Sequence, residues 1–269
     1  MPNHICVTCG VQYTEGKAPP ARCLICEDER QFVGWEGQRW TTMEELRPAY
    51  RNRFVDTEPN LTRIGTEPAF GIAQHAFLIR SSAGNVLWDC ITLIDDETVE
   101  TVGKLGGIAA IAISHPHFYS AMVEWSRAFG DAPVYLHAAD RRWVTRRDPA
   151  IVFWEGETRV LGDGLTLIHA DGHFDGSAVL HWADGAKGRG VLLSSDTIHV
   201  VPDRRWVAFM YSYPNYIPLP AVKVRRVVDS VEPFSFERIY GPWPGRVVME
   251  GGKAAVRRSA ERYLRAISG

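Results

Sequence analysis

Two histidines one residue apart follow an apolar run, in the stretch IAAIAISHPHFYS at residues 108–120. In extended backbone, His115 and His117 would point to the same side and could bind one metal ion. His173 follows the apolar run LTLIHA, and Asp196 follows GVLLSS. Loops at strand ends can present ligands in a common cleft. The position of all four residues after apolar runs therefore predicts that they form one metal site, and that the histidines are not ordinary surface residues. Three imidazoles and a carboxylate suit Zn²⁺, with room for a water.

Four of the five cysteines form two C-x2-C pairs near the start of the chain: Cys6, Cys9, Cys23 and Cys26. Each pair can turn so that both thiolates face one tetrahedral ion, and Gly10 supplies the backbone freedom for the turn. Disulfides fit poorly without a secretory signal pattern, and a redox motif needs only one pair. A closed structural zinc site is therefore predicted, with rubredoxin-like iron as the alternative. Cys90, in the apolar stretch VLWDC, is predicted to be a buried core residue.

The composition and net charge of the chain argue against some classes of binding partner. The chain has 269 residues, 45% of them hydrophobic, and a net charge of −2. These values predict a soluble globular protein without nucleic acid or an anionic membrane as its main partner. Its apolar stretches fall short of the ~20 residues that span a bilayer. A cytoplasmic location and a small-molecule substrate are expected, and the oligomeric state stays open, with a homodimer as one option.

The elements that must position these residues follow from hydrophobic patterning. Residues 1–33 are predicted to form the zinc ribbon, 34–64 a connector with one short helix near 42–52, and 65–269 the main domain. Short apolar runs predict many strands after residue 65, interleaved with helices, and therefore a layered α/β fold. The predicted helices of this domain lie at 95–107, at 120–129 with Ser120 as N-cap, through the basic stretch DRRWVTRR, and near 220–231 and 252–267.

The order VLWDC, SHPHFYS, DGHFDGS, LLSSDTIH resembles the metallo-β-lactamase superfamily. The usual pattern of that family is an aspartate closing an early strand, H-x-H-x-D-H, a Gly-His, an aspartate after a strand and a late histidine. The resemblance covers residues 65–269 and implies an αββα sandwich with metals at one edge between two sheets. It implies that the three histidines named above form the metal site and that Asp196 is the carboxylate that can bridge two metals.

The chain departs from the family pattern at the second metal. Tyr119 and Ser120 stand where the family has Asp-His, and IYGPWPGRVV offers Trp243 and no imidazole where the late histidine belongs. A phenol, a serine and one shared carboxylate are poor ligands for a second cation. A single catalytic zinc is therefore predicted, with Asp196 as fourth ligand or as hydrogen-bond partner of the water. Asp89 is expected to brace the metal loops from outside.

This site predicts hydrolysis by a single zinc-bound hydroxide that attacks an electrophilic carbon. Asp196 would act as base or orient the water, and Tyr119 would either donate a proton or fill the space of the second metal. A degenerate site without catalysis is the alternative. His75 and His199 are expected to be structural or exposed, although both could approach the pocket.

An aromatic segment, RRWVAFMYSYPNYIP at residues 204–218, follows the Asp196 strand. It predicts an aromatic wall for a small, apolar, uncharged substrate, lined by Phe118, Phe174, Trp206, Tyr211 and Trp243. The stretches DERQFV, NVLWDCI and ISHPHFYS, with the cysteine-rich start, resemble the isothiocyanate hydrolases. That resemblance implies conversion of an isothiocyanate into an amine and carbonyl sulfide. The alternatives are a lactonase or thioesterase-like hydrolase of the same fold, and a non-catalytic zinc-binding scaffold.

Overall fold

The structure, a computed structural model, describes residues 1–162 and 164–268. Residue 269, the end of the predicted main domain, lies outside the described residues. The chain divides into two compact units. The first comprises Met1–Leu136 and Arg141–Phe153, and the second comprises His137–Asp140 and the chain from Trp154 onward. Within the described ranges, no helix is both long and apolar enough to cross a membrane.

The N-terminal part of the first unit is a small cysteine-rich segment. Strand β1 (Ile5–Cys6) pairs antiparallel with β2 (Trp40–Thr41). Helix α1 (Met43–Leu46) follows and begins with a capping box, in which Thr42 and Glu45 bind each other's backbone N–H groups. The helix expected near 42–52 is thus a single turn. Ile5 and Leu46 pack with Phe70 and Leu93 in a buried cluster, which attaches the segment to the rest of the unit.

A seven-stranded sheet forms the main body of the first unit. Its strands lie in chain order: β3 (Arg51–Glu58), β4 (Leu61–Glu67), β5 (His75–Ile79), β6 (Val86–Trp88), β7 (Ala110–Ala112), β8 (Val134–His137) and β9 (Ile151–Trp154). Strands β3 to β6 pair antiparallel, and β6, β7 and β8 pair parallel. Residues 51–64, expected to belong to the connector, form β3 and the first part of β4. The prediction failed because β3 is charged and largely exposed, without the apolar run by which a strand is recognised.

Helices α2 (Asp96–Lys104) and α3 (Met122–Ala128) belong to the same unit. Asp95 caps α2, its side chain accepting a hydrogen bond from the Thr98 N–H at 2.8 Å, as expected from the acidic start. The expectation that Ser120 caps the next helix is wrong: Ala121 precedes α3, and Ser120 has a left-handed φ of 41°. The basic stretch after β8 forms a 3-10 turn, Ala138–Trp143, instead of an α-helix.

The second unit contains a six-stranded sheet, short hairpins and helices. After β10 (Thr158–Gly162), β11 (Leu165–His169), β12 (Ala178–Trp182), the one-turn α4 (Gly185–Gly188) and β13 (Val191–Leu193), two hairpins follow: β14 (His199–Val200) with β15 (Val207–Ala208), and β16 (Met210–Ser212) with β17 (Ile217–Pro218). Helix α5 (Ala221–Val231), β18 (Arg238–Tyr240), β19 (Val247–Val248) and helix α6 (Gly252–Ile267) complete the unit. The sheet order is β10-β11-β12-β13-β18-β19.

Helices α5 and α6 cover the apolar side of this sheet. Val224, Val227 and Val231 repeat at helical spacing on α5 and are all buried. They share one core cluster with Leu192 and Ile239 of the sheet. Both helices lie where the sequence predicts them. Their packing holds β11 and β13 in place, and the loops that leave these two strands carry His173 and Asp196.

Candidate metal centre

The loop after β7 presents His115 and His117. His115 has extended backbone, with φ −169°, whereas Pro116 begins a 3-10 turn that includes His117 (Pro116–Phe118). The expectation of extended backbone through both histidines is therefore wrong, because proline holds φ near −65° and favours the first position of a helical turn. The two imidazoles nevertheless lie side by side, with ring centroids 5.2 Å apart.

Asp89 braces this loop, as predicted. It follows β6 with a left-handed φ of 60° and is 1% exposed. Its Oδ1 accepts a hydrogen bond from the Ser114 N–H at 2.8 Å, and its own N–H donates to the Ala112 carbonyl. Ser114 in turn places its hydroxyl 2.9 Å from His115 Nδ1. The aspartate therefore orients His115 through Ser114, the arrangement by which surrounding groups orient metal-binding imidazoles.

His173 follows β11 through a sharp turn. Asp171 and Gly172 both have left-handed φ angles, and a Cβ at Gly172 would lie 2.9 Å from Val227 Cγ2, so a larger residue does not fit there. His173 Nδ1 lies 3.0 Å from the Met210 carbonyl oxygen. A carbonyl can only accept, so Nδ1 carries the proton and Nε2 keeps its lone pair. The backbone thereby sets the tautomer that a metal requires.

Asp196 follows β13 in a tight loop. Ser195 has a left-handed φ of 47°, and the Ser194 hydroxyl donates to the Ile198 carbonyl at 2.6 Å. The Tyr213 hydroxyl donates to the Asp196 carbonyl oxygen at 2.8 Å. Burial raises the pKa of Tyr213 well above its usual range, and the nearby Asp196 charge adds to the effect. The phenol is therefore a permanent donor that fixes the backbone of this loop.

His199 and Tyr213 lie beside Asp196, although neither is assigned a role in the site from the sequence. His199 Nδ1 lies 3.6 Å from Asp196 Oδ1, and its ring is 4.4 Å from that of Tyr213 and 5.5 Å from that of Trp243. His199 was expected to be structural or exposed, although able to approach the pocket, and its side chain is 15% exposed and adjoins the carboxylate. The spacing of three residues from Asp196 was the available signal. Tyr213 belongs to the aromatic segment 204–218, but at seventeen residues from Asp196 its contact with that loop had no signal in the sequence.

The four predicted ligands come together. One ligand atom from each of them lies within 4.8 Å of the others: His115, His117, His173 and Asp196. Their exposed fractions are 1%, 4%, 1% and 2%, respectively. An ionised carboxylate at this depth needs compensating positive charge, which a cation among neutral imidazoles supplies. The residues present therefore fit a bound divalent metal ion.

The four N-terminal cysteines also come together. Their sulfur atoms lie within 4.8 Å of one another, with Cys6–Cys26 and Cys9–Cys23 separations of 3.7 Å. A tetrahedron with Zn–S bonds of about 2.3 Å has edges of about 3.8 Å. All four are buried, and none is in a disulfide. Burial raises the pKa of the Cys9 thiol, whereas hydrogen bonds from Cys23 and Cys26 lower that of Cys6. A cation would allow all four to ionise, so this cluster fits a metal as well.

The aromatic residues expected to line a substrate wall occupy different environments. Phe118 and Phe174 are fully buried, 5.2 Å from the His115 ring and 5.3 Å from the His173 ring, respectively. Trp206 stacks under the Arg262 guanidinium at 3.7 Å. Tyr211 packs partly buried against the core of the second unit, and Trp243 contacts His199. Their contact with a substrate stays a prediction.

Tyr119 is 1% exposed. Together with Ser120 it lines a narrow crevice, whose other walls are Val11, Gln12, Met122, Val123, Thr145 and Arg146. Its surroundings thus include the cysteine-rich segment. Cys90 is also buried, as predicted, and burial raises the pKa of its thiol.

Comparison with known proteins identifies one relative along the whole chain and many similar folds. The relative is the uncharacterized protein YmaE of Bacillus subtilis (strain 168), which is 50% identical over 270 residues and matches 100% of this chain and 98% of its own length. No family model matches.

Three solved structures illustrate the fold. The DIM-1 metallo-β-lactamase has a TM-score of 0.60 at 12% identity and covers 80% of this chain and 98% of its own. The metallo-β-lactamase FIM-1 of Pseudomonas aeruginosa, in its mono-zinc form, has a TM-score of 0.59 at 13% identity and covers 81% of this chain and 97% of its own. VMB-1 at pH 5.5 has a TM-score of 0.58 at 11% identity and covers 81% of this chain and 99% of its own. The chain therefore belongs to the family of YmaE and has the metallo-β-lactamase fold.

Proposed function

We propose that this protein is a zinc-dependent hydrolase with one catalytic zinc held by His115, His117 and His173. The observation that carries the proposal is the convergence of these imidazoles and Asp196 within 4.8 Å. Zinc with an open coordination position supplies a Lewis acid and lowers the pKa of a bound water to about 7. The Cys6, Cys9, Cys23 and Cys26 cluster holds a second, structural zinc.

Residues around the site hold His115 and His173 in the orientation that metal binding requires. The Met210 carbonyl keeps the His173 proton on Nδ1, and Asp89 aligns His115 through Ser114. Asp196 is either the fourth ligand or the group that orients the attacking water and takes its proton. A single catalytic ion is supported by Tyr119 and Ser120, which stand where the fold's second site has its ligands. The mono-zinc form of FIM-1 supports the compatibility of this fold with one zinc.

The substrate we propose is an isothiocyanate with an apolar substituent. Water adds to the central carbon of R–N=C=S, the C–N bond breaks, and the products are R–NH₂ and carbonyl sulfide. This substrate is small, uncharged and electrophilic. The ring contacts among Tyr213, His199 and Trp243 beside Asp196 support an apolar wall on that side of the carboxylate.

The experiment is turnover of benzyl isothiocyanate by the zinc-loaded protein. We expect equimolar benzylamine and carbonyl sulfide, quantified by chromatography and gas analysis, and no product with the Asp196→Asn variant above the uncatalysed background. A lactone and a thioester serve as competing substrates. Rapid opening of either of these without amine release would refute the isothiocyanate proposal and retain the hydrolase. Turnover of none of the three by protein with its histidine metal in place would refute the hydrolase.

Tyr119→Phe separates the two roles of the tyrosine. If Tyr119 donates the proton to the leaving nitrogen, the variant should turn over about 10²–10⁴-fold more slowly than the wild type. We expect a change in kcat below about tenfold, because Tyr119 is 1% exposed and lines a narrow crevice with Val11 and Gln12. The check is kcat of both proteins across pH 6–9. A uniform loss of 10² or more at all pH values would assign the proton to this phenol.

A further inference from the structure

Gln74 connects the cysteine cluster to the histidine loop. It lies just before β5, is 5% exposed, and donates from one Nε2 atom to two carbonyl oxygens: that of Cys9 at 2.5 Å and that of His117 at 3.0 Å. An amide nitrogen carries two hydrogens, so both bonds form at once. One side chain thus bridges the backbones of a residue from each metal group.

A second connection joins the same two segments. The Gln12 N–H donates to the Ser120 carbonyl at 3.0 Å. The loop 117–120 is therefore held at its start by Gln74 and at its end by Gln12. Ser120 itself has a left-handed φ of 41°, a conformation that serine adopts only when its surroundings hold it there.

The cysteine side of this connection is equally fixed. The Thr92 hydroxyl donates to the Gly10 carbonyl at 2.9 Å, and a Cβ at Gly10 would lie 2.2 Å from that hydroxyl oxygen. The Gly10 N–H donates to the Cys6 carbonyl, which closes the turn of the first cysteine pair. Residues 9–12 therefore follow the geometry of the cysteine cluster on one side and contact the histidine loop on the other.

We propose that Gln74 is a positioning residue that couples metal binding at the four cysteines to metal binding at the histidines. A metal at the cysteines fixes the backbone of Cys9, and Gln74 transfers that order to His117, so that its imidazole is held ready for its own ion. Because coupling between two binding sites is reciprocal, each metal tightens the binding of the other. The proposal rests on metal binding at both groups, as in the proposed function, and is independent of the substrate.

The test is Co²⁺ titration of metal-free full-length protein, compared with its Gln74→Met variant. Methionine keeps the length and volume of glutamine but cannot donate. Cobalt at thiolates gives charge-transfer bands that cobalt at imidazoles lacks, so the two groups are followed separately. We expect the thiolate bands to persist and the melting temperature to fall modestly, because two buried carbonyl oxygens lose their donor. The affinity of the histidine site for Co²⁺ should fall about 10–100-fold, which is the usual cost of removing a residue that hydrogen-bonds to a metal ligand.

Gln31→Met is the matched control. Like Gln74, Gln31 is a buried glutamine, and it lies in the cysteine-rich segment. Its side-chain oxygen accepts a hydrogen bond from the Phe32 N–H. This variant should keep wild-type affinity at the histidines. Equal histidine-site affinity in Gln74→Met and wild type would overturn the proposal.

Wild-type protein provides a measurement that needs no variant. Cd²⁺ is soft and prefers the thiolates, so one equivalent loads the cysteines first. We expect tighter Co²⁺ binding at the histidines, and slower amide hydrogen exchange in residues 114–120, after this loading than before it. Identical affinity in both states would refute the coupling alone. Absence of any metal from the histidines would instead refute the proposed function.

Discussion

Replacing His117 by alanine should lower the zinc content from two ions per chain to one and remove nearly all turnover. The imidazole is one of three that hold the catalytic metal, and the remaining ligands hold it weakly. Loss of the metal forfeits several kcal/mol of transition-state stabilisation, so kcat/KM should fall roughly 10³-fold or more. Zinc analysis of the dialysed variant and its rate on benzyl isothiocyanate are the measurements.

The matched control for this variant is His181→Ala. His181 is also a buried histidine, but its Nε2 contacts the Ser235 carbonyl and it is not among the converging ligands. This variant should keep two zinc ions and wild-type activity per folded molecule. Full activity in His117→Ala would show that the histidine cluster is not the active site. Three zinc ions in the wild type, two of them at the histidines, would contradict the single catalytic ion.

Cys23→Ser should lose the other zinc and a large part of the stability of the N-terminal segment. A closed four-thiolate site contributes about 10–16 kcal/mol of apparent binding energy in small zinc-finger peptides, and in such sites binding energy is folding energy. Residues 1–41 contain little regular secondary structure, chiefly the two residue pairs of β1 and β2, so a metal at the four thiolates is expected to supply much of their stability. Loss of one thiolate should therefore cost several kcal/mol of local stability.

Hydrogen exchange of residues 1–41 and the melting temperature measure this loss, together with zinc content. Cys90→Ser is the control, because Cys90 is buried but far from the cluster in sequence and absent from it. It should lower stability through the buried hydroxyl while both zinc ions remain. Unchanged exchange and two zinc ions in Cys23→Ser would show that the cysteines hold no structural metal.

Much of the site could be predicted from the sequence because its ligands mark the ends of strongly patterned elements. β7 and β13 are short and apolar, and β11 buries Leu165, Leu167 and Ile168, so the polar residues that follow each strand are conspicuous. The two C-x2-C pairs are local in the chain, and local spacing is what a tetrahedral thiolate site requires. Helices α5 and α6 were predictable for a similar reason, since an apolar face at helical spacing needs no knowledge of its partner.

The remaining features depend on contacts between distant residues, which no local pattern reports. β3 was missed because a charged edge strand is stabilised by pairing with its neighbour and shows no apolar run of its own. β4 is mostly buried between β3 and β5, but most of it falls within the same predicted connector. Pro116 turned the histidine loop into a 3-10 turn, and the Met210 carbonyl chose the tautomer of His173. Gln74 is the clearest case. Its amide meets Cys9, 65 residues before it, and His117, 43 residues after it, because folding closes both segments around one buried donor whose hydrogens must be satisfied.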